Sequence, residues 1–191
     1  MTTLATIEEL IEKRNPDHHV TIEPCAKWIR VMHNGEYIAD TKQAVLLHET
    51  NHVPVYYFPK EDVRLDLMEP TDHVTQCPYK GDASYLNLKV PGASDIENSA
   101  WIYSQPMKDC PDISNYIAFY WNKVDHWFEE DEEVYVHARD PHKRVDVIPS
   151  TRHVKVVVGG QTVAESDRPT VLFETGMPVR YYIPVTDVRM A

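Results

Sequence analysis

Glycine, cysteine and basic charge are all scarce in this 191-residue chain, and each scarcity removes a class of function. Six glycines include no glycine-rich run of the kind that cradles phosphates. Three cysteines, Cys25, Cys77 and Cys110, are an odd number without a C-x-x-C pair, which argues against a disulfide framework and a cysteine zinc site. The ten histidines contain no H-x-H, and no metal is expected. A net charge of −11, with no stripe of Lys and Arg to displace counterions, speaks against nucleic acid as a partner. No apolar run approaches the ~18 residues of a membrane span. Met1-Thr2-Thr3-Leu4 shows no basic segment followed by an apolar one, the mark of a secretory leader. The expectation is a cytoplasmic globular protein without cofactor or membrane partner.

What the chain does have is a copy of itself. Residues 20–66 align without a gap against 145–191, at a constant offset of 125 (145 − 20). Leu47, Glu49-Thr50, Tyr56-Tyr57, Pro59 and Asp62-Val63-Arg64 match Leu172, Glu174-Thr175, Tyr181-Tyr182, Pro184 and Asp187-Val188-Arg189. So long a period indicates a duplicated unit rather than a solenoid. The second copy is the shorter one in this sequence, and uncovered sheet edges there suggest a homodimer. The organisation read from this is an N-terminal helical segment (1–19), a complete β domain (20–130) and a second, shorter repeat (131–191) packed on the first.

Thr6 and Glu9 form a capping-box pattern ahead of a short helix over 6–14, with Ile7, Leu10 and Ile11 at helical spacing. From Val20 the period changes to two. Asn34-Gly35 between strand patterns predicts a type I′ hairpin, and Gly159-Gly160 stands at the same place in the second copy, keeping the turn chemistry with other letters. Further strands are expected at 44–48, 85–90, 100–103 and 133–137. The stretch 53–59 reads as an edge strand because prolines interrupt it, and Glu69-Pro70-Thr71-Asp72 reads as a turn. Ile113, Ile117, Tyr120, Val124 and Trp127 predict an amphipathic helix over 112–128. Glu129 to Glu133 reads as a solvated acidic run. The fold class is mainly β (α+β): small antiparallel sheets with one packed helix, partially duplicated.

Glu49-Thr50, Tyr56-Tyr57-Phe58-Pro59, Cys77-Pro78-Tyr79-Lys80-Gly81-Asp82-Ala83-Ser84-Tyr85, Ala100-Trp101-Ile102-Tyr103 and Ala118-Phe119-Tyr120-Trp121 together resemble the family catalogued as domain of unknown function 427. The resemblance runs along nearly the whole chain. It implies a β-tent fold of the Mss4-like kind, with sheets inclined over a cavity where aromatic side chains line a ligand site. Many such relatives bind zinc through two C-x-x-C knuckles, which this chain lacks. Members sometimes carry a nucleotidyltransferase label. The residues do not support it, because the chain has no D-x-D to hold two metal ions and no Gly-Ser turn to seat a triphosphate.

Within the complete copy, Pro78 and Gly81 are expected to hold Tyr79 and Lys80 rigidly. A lysine among aromatic walls loses hydration, which lowers its pKa and suits it to act as base, Schiff-base nucleophile or cation. The alternative is a structural turn with Cys77 buried and Lys80 ion-paired. Glu49 at the end of an apolar strand is a candidate proton shuttle, with Lys80 stabilising an oxyanion and Tyr57 assisting. Glu49 and Tyr57 recur as Glu174 and Tyr182, so a scaffold role stands beside the catalytic one. Tyr79, Tyr85, Trp101, Tyr103 and Tyr120 are candidate ligand-binding residues, against a plain aromatic core. Arg139, Arg144, Arg152 and His153 form a candidate anion-binding or interdomain group. The functional expectation is a small-molecule-binding protein, or a cofactor-independent acid/base enzyme, with an aromatic-walled pocket in the first domain. The alternative is a non-catalytic aromatic-cage or structural module.

Overall fold

The computed structural model describes residues 6–12 and 14–189, without the side chains of Ile7 and Leu10. The reading of Met1 to Leu4 and the apolar pair Ile7/Leu10 therefore fall outside the described residues. The N-terminal helix α1 (Ile7–Glu12) opens on the expected capping box. Thr6 N donates to Glu9 Oε2 at 2.8 Å and Glu9 N donates to Thr6 Oγ1 at 3.3 Å, which satisfies two amides that the helix cannot. No helix among the described residues is long and apolar enough to cross a membrane.

The rest is mainly β, in two compact units, residues 1–139 and 140–191. The first unit holds β1 (Val20–Pro24), β2 (Ile29–His33), β3 (Glu36–Thr41), β4 (Val45–Glu49), β5 (Val55–Pro59), β6 (Met68–Cys77), β7 (Gly81–Leu88), β8 (Ile96–Ile102), β9 (Tyr116–Phe119), β10 (His126–Glu129) and β11 (Glu132–Val134). They form a seven-stranded sheet in the order β1-β4-β5-β9-β8-β7-β6 and a four-stranded sheet in the order β11-β10-β2-β3. Every pairing is antiparallel. Because β11 pairs with β10, the first unit continues past residue 130, where the sequence had suggested a boundary.

Strand alternation gives the larger sheet two different buried faces. Leu46, Tyr56, Phe58, Leu86, Leu88, Ala100, Ile117 and Phe119 share a core with Ile29, Val31, Ile38 and Trp127 of the smaller sheet. The intervening residues Val45, Leu47, Tyr57, Ala83, Tyr85, Tyr103 and Ala118 build a second cluster on the opposite face. Adjacent Tyr56 and Tyr57 thus serve different layers, although each is only 1% exposed. Truncating a side chain such as Phe58 or Phe119, both fully buried, would cost about 3–5 kcal/mol.

Several sequence expectations are corrected here. Residues 112–128 are not a helix but β9, a short 3-10 turn (Trp121–Lys123) and β10. Ile117, Ala118 and Phe119 are all buried, because β9 lies between two strands and is covered on both faces. A strand of that kind loses its period of two and imitates one side of a helix. The 53–59 stretch is an interior strand: β5 pairs with β4 and with β9, and Pro54 and Pro59 lie outside and at its end, where no ladder bond is lost. Residues 69–72 belong to the edge strand β6, whose register shifts between Pro70 and Val74; the proline is absorbed in a bulge rather than a turn. In the acidic run, Glu129 is buried and receives hydrogen bonds from Lys27 Nζ and Tyr56 Oη. It follows Trp127 by two positions along β10, so alternation turns it inward.

The second unit contains β12 (Val145–Pro149), β13 (Val154–Val158), β14 (Gln161–Ser166), β15 (Thr170–Glu174) and β16 (Arg180–Tyr182). Its pairings repeat those of the first unit residue for residue. Val20↔Glu49 becomes Val145↔Glu174, and Val45↔Tyr57 becomes Thr170↔Tyr182. Even the bulge between Val31 and Met32 recurs between Val156 and Val157. Both central residues of each hairpin turn have positive φ: 48° and 79° at Asn34-Gly35, 58° and 81° at Gly159-Gly160, as a type I′ turn requires. The surroundings differ. Tyr182 is 54% exposed where Tyr57 is sealed, and β16 has one neighbouring strand where β5 has two.

Candidate functional site

The second face of the seven-stranded sheet opens into a cavity of about 270 Å³ lined by Leu47, Glu49, His52, Val53, Val55, Tyr57, Lys80, Tyr85, Trp101, Tyr103 and Tyr120. Leu47 and Glu49 come from β4 and Val55 and Tyr57 from β5, two residues apart on each strand, so alternation aims each pair at the same space; Tyr85 comes from β7 and Trp101 from β8. Lys80 arrives from the β6–β7 turn. Gly81 closes that turn with φ +100°, and a Cβ there would stand 3.3 Å from the Gln105 carbonyl oxygen, so no other residue fits without strain.

The N-terminal segment fixes this turn from outside. Arg14 Nε donates to Pro78 O at 2.7 Å, Arg14 Nη1 pairs with Asp109 at 2.8 Å, and Asn15 N donates to Tyr79 Oη at 2.7 Å. Tyr79 in turn stacks on His18, with ring centroids 3.8 Å apart.

Lys80 Nζ donates to Glu49 Oε2, and the two side chains are 10% and 12% exposed. His18 Nε2 lies 3.0 Å from the other oxygen, Glu49 Oε1. Burial pushes the Glu49 carboxyl up, but the hydrogen bond and charge of Lys80 and the bond to His18 outweigh it and hold the group below the usual carboxylate range. An ionised carboxylate only accepts, so His18 Nε2 carries the proton it shares. The ammonium of Lys80 also stands 5.9 Å from the centre of the Tyr103 ring.

The aromatic walls touch one another in series. Trp101 meets Tyr57 edge-on at 6.4 Å and Tyr120 at 4.7 Å, and Tyr120 lies parallel to Tyr85 at 6.5 Å. Trp101 Nε1 donates to Tyr57 Oη at 3.2 Å. Burial raises the phenols of Tyr57 and Tyr103 well above the ordinary tyrosine value, and that of Tyr120 to about 12. All three therefore keep their protons at neutral pH. Tyr103 is 6% exposed, and its hydroxyl has no hydrogen-bond partner among the described residues.

The structure brings Lys80, Glu49, Tyr57, Tyr85, Trp101, Tyr103 and Tyr120 to one cavity. Tyr79 is not among its walls; it faces a neighbouring hollow with Arg14, Asn15 and His18, because successive turn residues point apart. Cys77, which ends β6, packs half-buried against the same apolar cluster as Cys110, whose thiol burial pushes up to about 11. The basic group is dispersed. Arg139 belongs to the first unit and pairs with Glu132 at 2.6 Å. In the second unit Arg144 pairs with Asp146, His153 with Asp167 and Glu165, and Arg152 donates to Tyr181 Oη. His18 and His52 escaped the sequence reading. His52 is three residues from Glu49, and His18 lies next to the Val20↔Glu49 pairing, so a register inferred from the repeat would have placed it.

A larger cavity of about 670 Å³ lies beyond Gly81, lined by Arg14, Gln76, Ser104, Met107 and Asp109 among others. Its one deep cation, Arg14, is committed to Pro78, Asp109 and Met107 Sδ. Among the described residues its lining includes no aromatic side chain. The smaller cavity is the better candidate on chemistry.

In the second unit, Glu174 keeps the backbone place of Glu49 but pairs with Arg180 at 3.0 Å and is 38% exposed. The duplication has retained the scaffold there without the Lys80 partnership. No curated protein matches the chain. The family model described as Domain of unknown function (DUF427) matches residues 21–130 and 146–191, two segments that coincide with the two copies and together cover most of the sequence. The chain is thus a member of the DUF427 family, with matches to its model in both repeats.

Proposed function

We propose that the first unit is a small-molecule-binding domain whose ligand occupies the cavity between Lys80, Glu49 and the aromatic walls. The observation that carries this reading is the Tyr103 hydroxyl, without a hydrogen-bond partner among the described residues and on a side chain that lines a cavity beside an ion pair. A ligand oxygen would accept a hydrogen bond from that hydroxyl, a net gain of about 0.5–1.5 kcal/mol. Pockets lined by aromatic groups with a few convergent polar atoms are the usual form of a ligand site.

The acid/base version assigns Glu49 the proton abstracted from the ligand and Lys80 the charge that develops on its oxygen, with Tyr57 donating to the same oxygen. His18, on the far oxygen of Glu49, exchanges that proton with solvent. Glu49 below the carboxylate range is a weak base, which favours binding over turnover. The volume supports a small ligand and not a nucleotide, since drug-sized ligands occupy ~300–1,000 Å³. Three free cysteines suit a reducing compartment such as the cytoplasm, and the single-neighboured strand β16 suits pairing with a second copy of the chain.

The test is saturation-transfer NMR on a library of small carbonyl and aromatic metabolites, comparing the wild type with Val53→Trp, which fills the exposed mouth of the cavity. Hits that vanish in the variant support the reading; hits that persist unchanged refute it. For the catalytic version, a folded Lys80→Ala variant that still turns over a substrate is the refuting result, and borohydride trapping checks a Schiff base at Lys80.

A further inference from the structure

If the cavity binds a ligand as proposed above, the hydrogen-bonding state of its polar atoms selects the chemistry of that ligand. Trp101 Nε1 is a donor only, and it occupies a lone pair of Tyr57 Oη, so the proton of Tyr57 is left to donate. Tyr103 Oη has no hydrogen-bond partner among the described residues and also keeps its proton. Tyr57 and Tyr103 both line the cavity. The ammonium of Lys80 stands over the Tyr103 ring. Three donors, Tyr57, Tyr103 and Lys80, therefore line the cavity, while both oxygens of Glu49, the single carboxylate among the lining residues, are engaged by Lys80 and His18.

Charge is balanced in the same place. Lys80 and Glu49 neutralise each other, His18 faces the far oxygen of Glu49, and His52 stands at the rim, 6.1 Å from the His18 ring. An arriving carboxylate would lie beside Glu49 and an arriving ammonium beside Lys80. Each would lose hydration without gaining an uncommitted counter-charge. Trp101 and Tyr120, tilted by 49°, present ring surface to a flat body. A cavity of roughly 150 Å³ holds benzene, so about 270 Å³ holds one ring with a short substituent. We infer that the ligand is an uncharged, planar carbonyl compound of about one ring, its oxygen received by Tyr57, Tyr103 and Lys80 and its ring laid against Trp101 and Tyr120.

The experiment titrates the full chain with four probes of one shape, benzamide, benzoate, benzylammonium and toluene, following the indole N–H resonance of Trp101 by ¹⁵N NMR. Benzamide is expected to bind at least about tenfold more tightly than either charged probe, the factor set by stripping water from an uncompensated charge. Tyr103→Phe removes an unbonded hydroxyl, so the fold is retained. It should weaken benzamide about three- to tenfold, one neutral hydrogen bond, and leave toluene unchanged. Benzoate or benzylammonium binding as tightly as benzamide overturns the ligand class while leaving the cavity a binding site, and so does a Tyr103→Phe variant that binds benzamide as well as the wild type. Failure of every probe to move Trp101, or equal shifts in Val53→Trp, overturns the binding reading itself.

Discussion

Replacing Lys80 by methionine should expose how much of the first unit depends on one ion pair. Lys80 and Glu49 are 10% and 12% exposed, so the pair is outside the surface regime in which ion pairs contribute little. Removing one partner of a buried pair costs about 3–5 kcal/mol, since the other charge remains buried and unpaired. His18 stays within 3.0 Å of Glu49 and offers partial compensation, which puts the expected loss near the lower end, about 3 kcal/mol. All four tryptophans, Trp28, Trp101, Trp121 and Trp127, lie in the first unit, so urea unfolding followed by tryptophan fluorescence reports that unit. With a slope of roughly 1–3 kcal/mol per molar urea, the midpoint should fall by about 1–3 M. Lys80→Met/Glu49→Leu should recover most of the loss, because an apolar pair of similar volume needs no hydration. Glu49 is held below the carboxylate range. Its contribution is therefore present above the unfolded-state pKa of about 4.3 and disappears as pH falls through the lower folded value. The gap between wild type and Lys80→Met should close on acidification. A midpoint unchanged at pH 7, or a double variant as unstable as the single one, would refute a buried, mutually dependent pair.

Three further outcomes are expected. Gly81→Ala should cost about 1–3 kcal/mol in the same assay, for its φ is +100° and the Gln105 carbonyl closes the space; Gly35→Ala, with open space around it, should lose no more than about 1–2 kcal/mol. Tyr57→Phe deprives Trp101 Nε1 of its acceptor and should cost about 1–2 kcal/mol, with a shifted indole N–H resonance as the direct readout. In alkaline absorbance titration, Tyr120→Phe should remove a tyrosine step near pH 12; loss of a step at the ordinary value near 10 would contradict its contact with Tyr85.

The repeat made much of the scaffold legible. An unbroken alignment with Asn34-Gly35 opposite Gly159-Gly160 implied shared hairpins, and the strand registers repeat at the same offset of 125 down to a bulge (145 − 20). What the repeat could not reveal was the half of the first unit without a counterpart. There β9 is buried on both faces, its alternation vanishes, and Ile113, Ile117, Tyr120, Val124 and Trp127 imitate a helix. Prolines misled at β5 and β6 for opposite reasons, one placed harmlessly at a strand end and the other inside a bulge. The residues of the cavity were legible as chemistry, Lys80 and Trp101 above all, since they stand outside the repeat. Their meeting with Glu49 and Tyr57 depends on strand order, β4-β5-β9-β8-β7, which no local pattern encodes. His18 was missed because its role comes from a contact 31 residues away.

The most direct measurement of the central claim is a crystal structure of the full chain soaked with benzamide. The predicted result is density in the cavity of the first unit, with the carbonyl oxygen within hydrogen-bonding distance of Tyr57, Tyr103 or Lys80 and the ring against Trp101. Benzamide seated instead in the larger cavity beside Met107, with the Lys80–Glu49 cavity left closed to it, would contradict the account.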